Sequence, residues 1–202
     1  MSTESPTPES SSPWATLSSI VGFELALAVL AIVLALWIGI DLAAAMVFDL
    51  PTLNWAVVAT LPLIATMITL TRSDWAWVKT LNEPVETYLR PLMQGLPAGS
   101  LLLVALAAGV SEELLFRGVI QQGLTDWAGP GVGLVVASLI FGLAHALNRY
   151  YVLVTLVMGL YLGLLYQASQ NLVLVMAVHA LYDWVVLRFV LLTPPANKGA
   201  KY

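Results

Sequence analysis

The chain has 202 residues, of which 59% are hydrophobic and only 10% are charged, and its net charge is −4. Soluble domains are usually about 25% charged, so the composition predicts an integral membrane protein of one domain. The acidic balance argues against a nucleic-acid partner, and the lack of cysteine excludes disulfides and thiolate metal sites.

The N-terminal segment 1–14 is polar, acidic and rich in Ser and Pro. It lacks a basic region, so it does not predict a cleavable signal peptide, and its composition predicts a disordered tail. We expect a transmembrane helical domain over 15–193, with a motif core at 98–192, and a short cytoplasmic tail over 194–202.

Several segments approach the length of about 20 mostly apolar residues that a membrane helix needs. They predict an all-α polytopic membrane protein, a bundle of about six transmembrane helices around an intramembrane polar cavity. The polar connection 72–97 contains Trp and Tyr, which suit a membrane interface. The expected spans are 16–40, 51–71, 98–122, 132–147, 151–167 and 172–192.

The basic residues outside the polar core of the bundle share one side of the membrane if all these segments cross it. The positive-inside rule then places both termini in the cytoplasm. The short chain with its short tail suggests a bacterial inner membrane. The basic residues are Arg72, Lys79, Arg90, Arg149, Arg188, Lys198 and Lys201.

Polar groups that lipid disfavours occur in three of the expected spans, and such groups indicate a functional site by default. Taken singly, a buried Glu–Arg pair or a lone histidine would be structural, but their occurrence on three helices favours a site. Glu24 and Asp41 are interpreted instead as interface or helix-end residues, and Gly159 and Gly163 as a close-packing GxxxG motif. The site candidates are Glu112, Glu113, Arg117, His145, His179 and Asp183.

Spacing separates the roles of these side chains. Glu113 and Arg117 are i,i+4 neighbours and can pair on one helix face. Glu112 is turned by about 100° from Glu113, so Arg117 neutralises it less. His179 and Asp183 are also i,i+4, and the aspartate can orient the imidazole or share its proton.

A carboxylate beside a histidine in a pocket of low dielectric can activate water for attack. Glu112, which Arg117 neutralises less, is the candidate carboxylate for this unit. A second histidine can donate a hydrogen bond to a developing oxyanion, and Phe141, one turn before His145, can form an apolar wall. This set indicates a peptide hydrolase that needs no serine or cysteine nucleophile.

The segments "EELLFRG", "FGLAH" and "HALYD" resemble the EExxxR, FxxxH and Hxxx(N/D) motifs of the CAAX-protease and bacteriocin-processing (CPBP, or Abi) intramembrane proteases. This family includes the Ras-converting CAAX endopeptidases. The resemblance covers about 111–184, and the first two expected helices contribute nothing to it. It implies that Glu112 activates water which His145 helps to position, that His179 and Asp183 stabilise the oxyanion, and that Glu113 and Arg117 support them.

One position differs from the Ras-converting members, which have Asn where this chain has Asp183. An ionised aspartate cannot donate a hydrogen bond to an oxyanion. Either Asp183 is protonated, or it orients His179 and the histidine alone donates, and the second alternative is preferred.

A catalytic metal is the alternative to metal-free chemistry. Glu112, His145 and His179 are acceptable zinc ligands, and catalytic zinc commonly has three protein ligands and a water. The HExxH motif is absent from the sequence, and the resemblance to a glutamate-type mechanism favours a site without metal. No cofactor is therefore assigned, with zinc kept as the alternative.

These observations favour an intramembrane endopeptidase acting on a membrane-associated protein or peptide, with the lipid bilayer as its other partner. A non-catalytic bacteriocin-immunity or peptide-binding membrane protein is the first alternative. A proton-coupled transporter is the second, because Glu and His chains also relay protons in membranes. The sequence shows no inverted repeat of the kind that transporters carry.

Overall fold

The computed structural model describes residues 12–97 and 99–192, with side chains to residue 189. These residues fold into helices and contain no strand, so the predicted all-α class is confirmed. The predicted tail 194–202 and most of the tail 1–14 lie outside the described residues, and the first helix begins two residues before the expected boundary at 15. The helices are α1 Pro13–Ile38, α2 Leu50–Thr71, α3 Ala76–Pro84, α4 Arg90–Gln94, α5 Ser100–Glu113, α6 Gln122–Ala128, α7 Pro130–Ala144, α8 Arg149–Ser169 and α9 Leu172–Leu192.

Two π-helical segments join neighbouring helices without a break. Val85–Leu89 connects α3 to α4, and Leu114–Gln121 connects α5 to α6. The region 100–128 is therefore one long helix whose middle is wound more widely than an α-helix.

Four described helices, α1, α2, α8 and α9, are long and apolar enough to cross a membrane. The chain is thus a polytopic membrane protein, but the expected count of about six spans is not reached by length and composition. The predicted span 98–122 instead forms α5 and the charged π segment Leu114–Gln121. The predicted span 132–147 forms α7, which is apolar but has only 15 residues.

The helix ends are set by local side chains. Ser12 caps α1 by accepting a hydrogen bond from the Ala15 amide at 3.2 Å, and Gly39 ends this helix in the left-handed region at φ 78°. Asp41 accepts from the Ala43 amide at 3.0 Å in the turn that follows. The helix-end interpretation of Asp41 is confirmed.

Helices α1 and α2 present large apolar side chains outwards. Phe23, Leu36, Trp37 and Trp55 are all exposed. An apolar surface of this extent marks a membrane-facing side in a polytopic protein. Only a narrow strip of α1, formed by Leu17, Glu24, Ala31 and Ala35, is buried against the rest of the bundle.

Close helix contacts at glycines bring the polar groups together. Gly109 of α5 lies so near α9 that a Cβ atom there would be 2.7 Å from the Ala180 amide nitrogen. On α8, a Cβ at Gly159 would be 3.2 Å from the Ser138 Cα atom. A Cβ at Gly163 would be 2.6 Å from the Leu134 side chain, so the packing role expected of the GxxxG motif is confirmed.

The α3–α4 region is amphipathic. It buries Val78, Leu81 and Met93 while Tyr88 is exposed. Asn148 donates from its side-chain amide to the Thr80 carbonyl at 2.7 Å. This bond ties the amphipathic region to the turn that follows α7.

Candidate active site

Glu112 and Glu113 are the last residues of α5, and the π segment Leu114–Gln121 begins directly after them. π-Helical turns are rare and are frequent at functional sites. This segment faces α8, where Arg117 donates to the Gly159 carbonyl at 3.0 Å and Gln121 donates to the Gly163 carbonyl at 2.9 Å. The sequence pattern gave no signal for the π turn.

The expected pair of Glu113 and Arg117 forms, and it is fully buried. Arg117 Nη1 lies 2.7 Å from Glu113 Oε1, with side-chain exposures of 2% and 0%. The guanidinium carbon also lies 4.6 Å from the centre of the Phe141 ring. Arg117 is therefore held by a carboxylate, a helix carbonyl and an aromatic face together.

Glu113 also binds His179, a contact that spacing along the sequence did not predict. His179 Nδ1 lies 2.8 Å from Glu113 Oε1, the oxygen that also accepts from Arg117. A carboxylate paired with a guanidinium is ionised and only accepts, so Nδ1 carries the hydrogen. Glu113 thus orients the imidazole ring from its inner nitrogen.

Glu112 faces the other histidine. His145 caps the C-terminus of α7, and its Nδ1 lies 2.9 Å from the Phe141 carbonyl, which can only accept. The ring therefore turns Nε2 towards Glu112 Oε2, at 3.6 Å. Among the described residues this buried oxygen of Glu112 has no hydrogen-bond partner.

Asp183 approaches His179 from the outer nitrogen. His179 Nε2 lies 3.5 Å from Asp183 Oδ2 and 4.0 Å from Glu112 Oε2. Asp183 and Glu112 therefore both face Nε2. Glu113 orients the imidazole ring through the opposite nitrogen, Nδ1. The expected neighbourhood of His179 and Asp183 is present, with Asp183 on the side where an oxyanion would bind.

Phe141 lies between the two imidazoles, where the sequence analysis expected an apolar wall. Its ring centre is 4.6 Å from that of His145 and 6.0 Å from that of His179. Phe116, from the π segment, packs edge-on against it at 5.0 Å. The aromatic pair excludes water from one side of the polar cluster.

The cluster has an open side and a closed side. The Glu112, His145 and Asp183 side chains are 13%, 30% and 29% exposed, whereas His179 is 4% exposed. The two surface depressions near Asp41 and Trp127 are lined by other residues. A substrate would meet Glu112, His145 and Asp183 first.

The predicted position of Glu24 was wrong. It was interpreted as an interface or helix-end residue, but it lies about 16 Å inside α1, given the rise of about 1.5 Å per residue. It is buried and accepts a hydrogen bond from the hydroxyl of Ser111 on α5. A carboxylate well inside an otherwise apolar span was the signal that pointed to this position.

The described residues contain no group of three or more His, Asp or Glu side chains arranged to hold a metal ion. The candidate zinc ligands Glu112, His145 and His179 are brought together, and His179 Nε2 also faces Asp183.

A comparison with protein families finds a match for the part of the chain that contains the predicted site residues. Residues 94–185 match the family described as type II CAAX prenyl endopeptidase Rce1-like. No curated protein and no solved structure is significantly similar to the chain. The match includes all the site residues that were predicted from the sequence, and also Ser111. Glu24 and the rest of α1 lie outside it. Over residues 94–185 the chain is thus similar to the CAAX prenyl endopeptidases, which supports its resemblance to the CPBP intramembrane proteases.

Proposed function

We propose that this protein is an intramembrane endopeptidase that hydrolyses a peptide bond of a membrane-associated protein or peptide. The observation that carries the proposal is the position of the buried Glu112 Oε2, which lies 3.6 Å from His145 Nε2 and 4.0 Å from His179 Nε2. The similarity of residues 94–185 to the CAAX prenyl endopeptidases supports hydrolysis as the reaction.

Glu112 acts as the general base, with His145 as its partner. Because His145 donates from Nδ1 to the Phe141 carbonyl, Nε2 of the neutral ring is an acceptor. A water between the two side chains donates one hydrogen to Glu112 and the other to His145. Its oxygen lone pair then points at the substrate carbonyl, and Glu112 takes the proton as the oxygen–carbon bond forms.

His179 stabilises the oxyanion of the tetrahedral intermediate. Its Nδ1–H is donated to Glu113, so a second donation from Nε2 requires the charged imidazolium. Asp183, 3.5 Å from Nε2, accepts from this nitrogen in the free enzyme and yields the hydrogen to the oxyanion during reaction. Asp183 thus works as an acceptor that keeps His179 ready to donate.

The intermediate collapses when protonated Glu112 transfers its proton to the nitrogen of the scissile bond. The carbon–nitrogen bond breaks, and one water is consumed to give a new carboxylate and a new amine. Arg117 binds α8 and Glu113 binds α9, so the pair joins the helix that carries Glu112 to both, and Phe141 keeps bulk water out. General acid–base catalysis of this kind contributes about 10²–10⁴-fold to rate.

The proposed setting is a bacterial inner membrane, with both termini in the cytoplasm. All the basic residues outside the cluster then lie on the cytoplasmic side. Helix α7 ends at Ala144, directly before His145, and Arg149 follows four positions after His145, so the open side of the cluster faces the cytoplasm in this arrangement.

The test compares membrane proteomes of cells that carry wild type, Glu112→Ala or His145→Ala. A peptide fragment present with wild type should disappear with either variant, because each removes half of the base unit, and cleavage should slow by at least about 100-fold. Equal membrane abundance and equal unfolding temperature in detergent serve as the folding control.

Cleavage at the wild-type rate by either variant would overturn the assigned roles. Restoration of a deletion phenotype by Glu112→Gln would favour the non-catalytic binding protein instead. The purified wild-type enzyme is assayed before and after exhaustive chelation, and loss of activity that added zinc restores would assign the metal-dependent alternative.

A further inference from the structure

We propose that Glu24 of α1 is a positioning residue of the active site, acting through Ser111 on the adjacent Glu112. The inference rests on the proposed endopeptidase function and extends the site to a helix outside the matched residues 94–185. Glu24 does not reach the reacting atoms. It fixes the turn of α5 that carries the general base.

The contact between the two helices is buried and specific. Glu24 is 8% exposed and Ser111 is 2% exposed, and the Ser111 hydroxyl donates to Glu24 Oε2. The same hydroxyl lies 3.3 Å from the Ala108 carbonyl of its own helix, a weaker alternative acceptor. The hydrogen bond from Ser111 to Glu24 therefore links α5 to α1.

Ser111 lies where the winding of the long helix changes. The Leu114 amide is shared between the carbonyls of Val110 and Ser111 as the π segment begins. Glu112 and Glu113 are the two residues between this anchor and the first π residue. A fixed Ser111 thus sets the directions in which these two carboxylates point.

The charge of the cluster shows that packing alone does not explain Glu24. Glu24 interacts electrostatically with Glu112, His179 and Asp183, and two of these groups are carboxylates. The guanidinium of Arg117 is already engaged by Glu113 and the Gly159 carbonyl. An apolar side chain would be cheaper at this position, because a carboxylate inside a membrane bundle is costly.

The variants differ in whether the hydrogen bond between Ser111 and residue 24 can still form. Glu24→Gln keeps a carbonyl oxygen that can accept from Ser111, whereas Glu24→Leu keeps the volume and loses the acceptor. Ser111→Ala removes the donor. If Glu24 acts through Ser111, loss of either partner breaks one shared interaction, and the second loss adds nothing.

The experiment measures the rate of appearance of the fragment that depends on Glu112, together with unfolding temperature in detergent. Glu24→Leu and Ser111→Ala should each slow cleavage by about 10-fold, since small misplacements of a catalytic group are costly. The double variant should be as slow as either single variant, and Glu24→Gln should stay within about 3-fold of wild type. Glu24→Leu should unfold at the wild-type temperature or above it.

Leu17→Ala is the matched control, because Leu17 is also a buried residue of α1 but packs in a separate apolar cluster with Val104 and Leu187. It should lower the unfolding temperature and leave the cleavage rate unchanged. The proposal is overturned if Glu24→Leu cleaves at the wild-type rate, if the single effects multiply in the double variant, or if Glu24→Gln is as slow as Glu24→Leu. Failure of the proposed function looks different, since no fragment would then depend on Glu112.

Discussion

Glu113 is the residue on which the buried side of the cluster depends. A single oxygen, Oε1, accepts from Arg117 at 2.7 Å and from His179 at 2.8 Å. The helix bearing the base and the helix bearing the oxyanion donor are therefore joined by one carboxylate. The support role that the resemblance implies for Glu113 gains a specific partner in His179.

Replacing Arg117 by Ala should destabilise the protein by about 3–5 kcal/mol, because it leaves Glu113 buried without its charge partner. Denaturant unfolding in detergent micelles measures the change. Arg149→Ala is the matched control, since Arg149 is exposed and its removal should alter stability by less than about 0.5 kcal/mol. A loss below about 1 kcal/mol for Arg117→Ala would contradict the structural role of the pair.

Helix spacing predicted one contact within a helix, and the motif resemblance predicted that Glu112 and His145 meet, but two bonds between helices were not predicted. The Glu113–Arg117 pair follows from i,i+4 geometry. The bond from His179 to Glu113 spans 66 positions and that from Ser111 to Glu24 spans 87. Such bonds depend on how helices pack, which local spacing does not encode.

At the scale of the elements, Gly109 sets the distance between α5 and α9. Gly109→Ala should destabilise the protein by about 1–3 kcal/mol through overpacking, because its Cβ would lie 2.7 Å from the Ala180 backbone nitrogen. Cleavage should fall with it, since the two helices carry Glu112 and His179. Unfolding in detergent and the fragment assay measure both effects.

The sign of the change tests the packing argument. Without the close contact, alanine would stabilise a helix relative to glycine by about 1 kcal/mol. Gly22 of α1 provides this case, because a Cβ there meets nothing within 4 Å, so Gly22→Ala should be neutral or stabilising. A stabilising Gly109→Ala would show that α5 and α9 are not in close contact.

The apolar segments predicted the long helices well and the polar region less well. Helices α1, α2, α8 and α9 match the expected spans within a few residues, because uninterrupted apolar runs leave no other structure in lipid. The segment from Leu114 to Gln121 is wound as a π-helix, and from it Arg117 and Gln121 donate hydrogen bonds to backbone carbonyls of α8. These bonds are made to a neighbouring helix and leave no local pattern.

The number of membrane crossings depends on whether the helix over 100–128 and α7 both cross the bilayer. The described helix over 100–128 is about 42 Å long at about 1.5 Å per residue, enough to span a hydrocarbon core of about 30 Å. In the proposed orientation, with both termini in the cytoplasm, Asp126 lies outside the cell and Lys79 inside if this helix crosses and α7 returns. If it does not cross, both lie inside.

The absence of native cysteine makes this testable with single substitutions. In intact spheroplasts, a membrane-impermeant maleimide should label Asp126→Cys and should spare Lys79→Cys until the membrane is permeabilised. Both positions are exposed, so labelling reports sidedness and not burial. Protection of Asp126→Cys in intact cells would reduce the number of crossings to the four long helices.

The two hydrogen bonds between the π segment and α8 also set a limit on insertions and deletions. Arg117 and Gln121 are four positions apart, and so are the carbonyls of Gly159 and Gly163 that they bind. Losing one residue between Arg117 and Gln121 would rotate everything after it by about 100°, so one of the two bonds would break. The length of this stretch is therefore constrained as tightly as the identity of its charged residues.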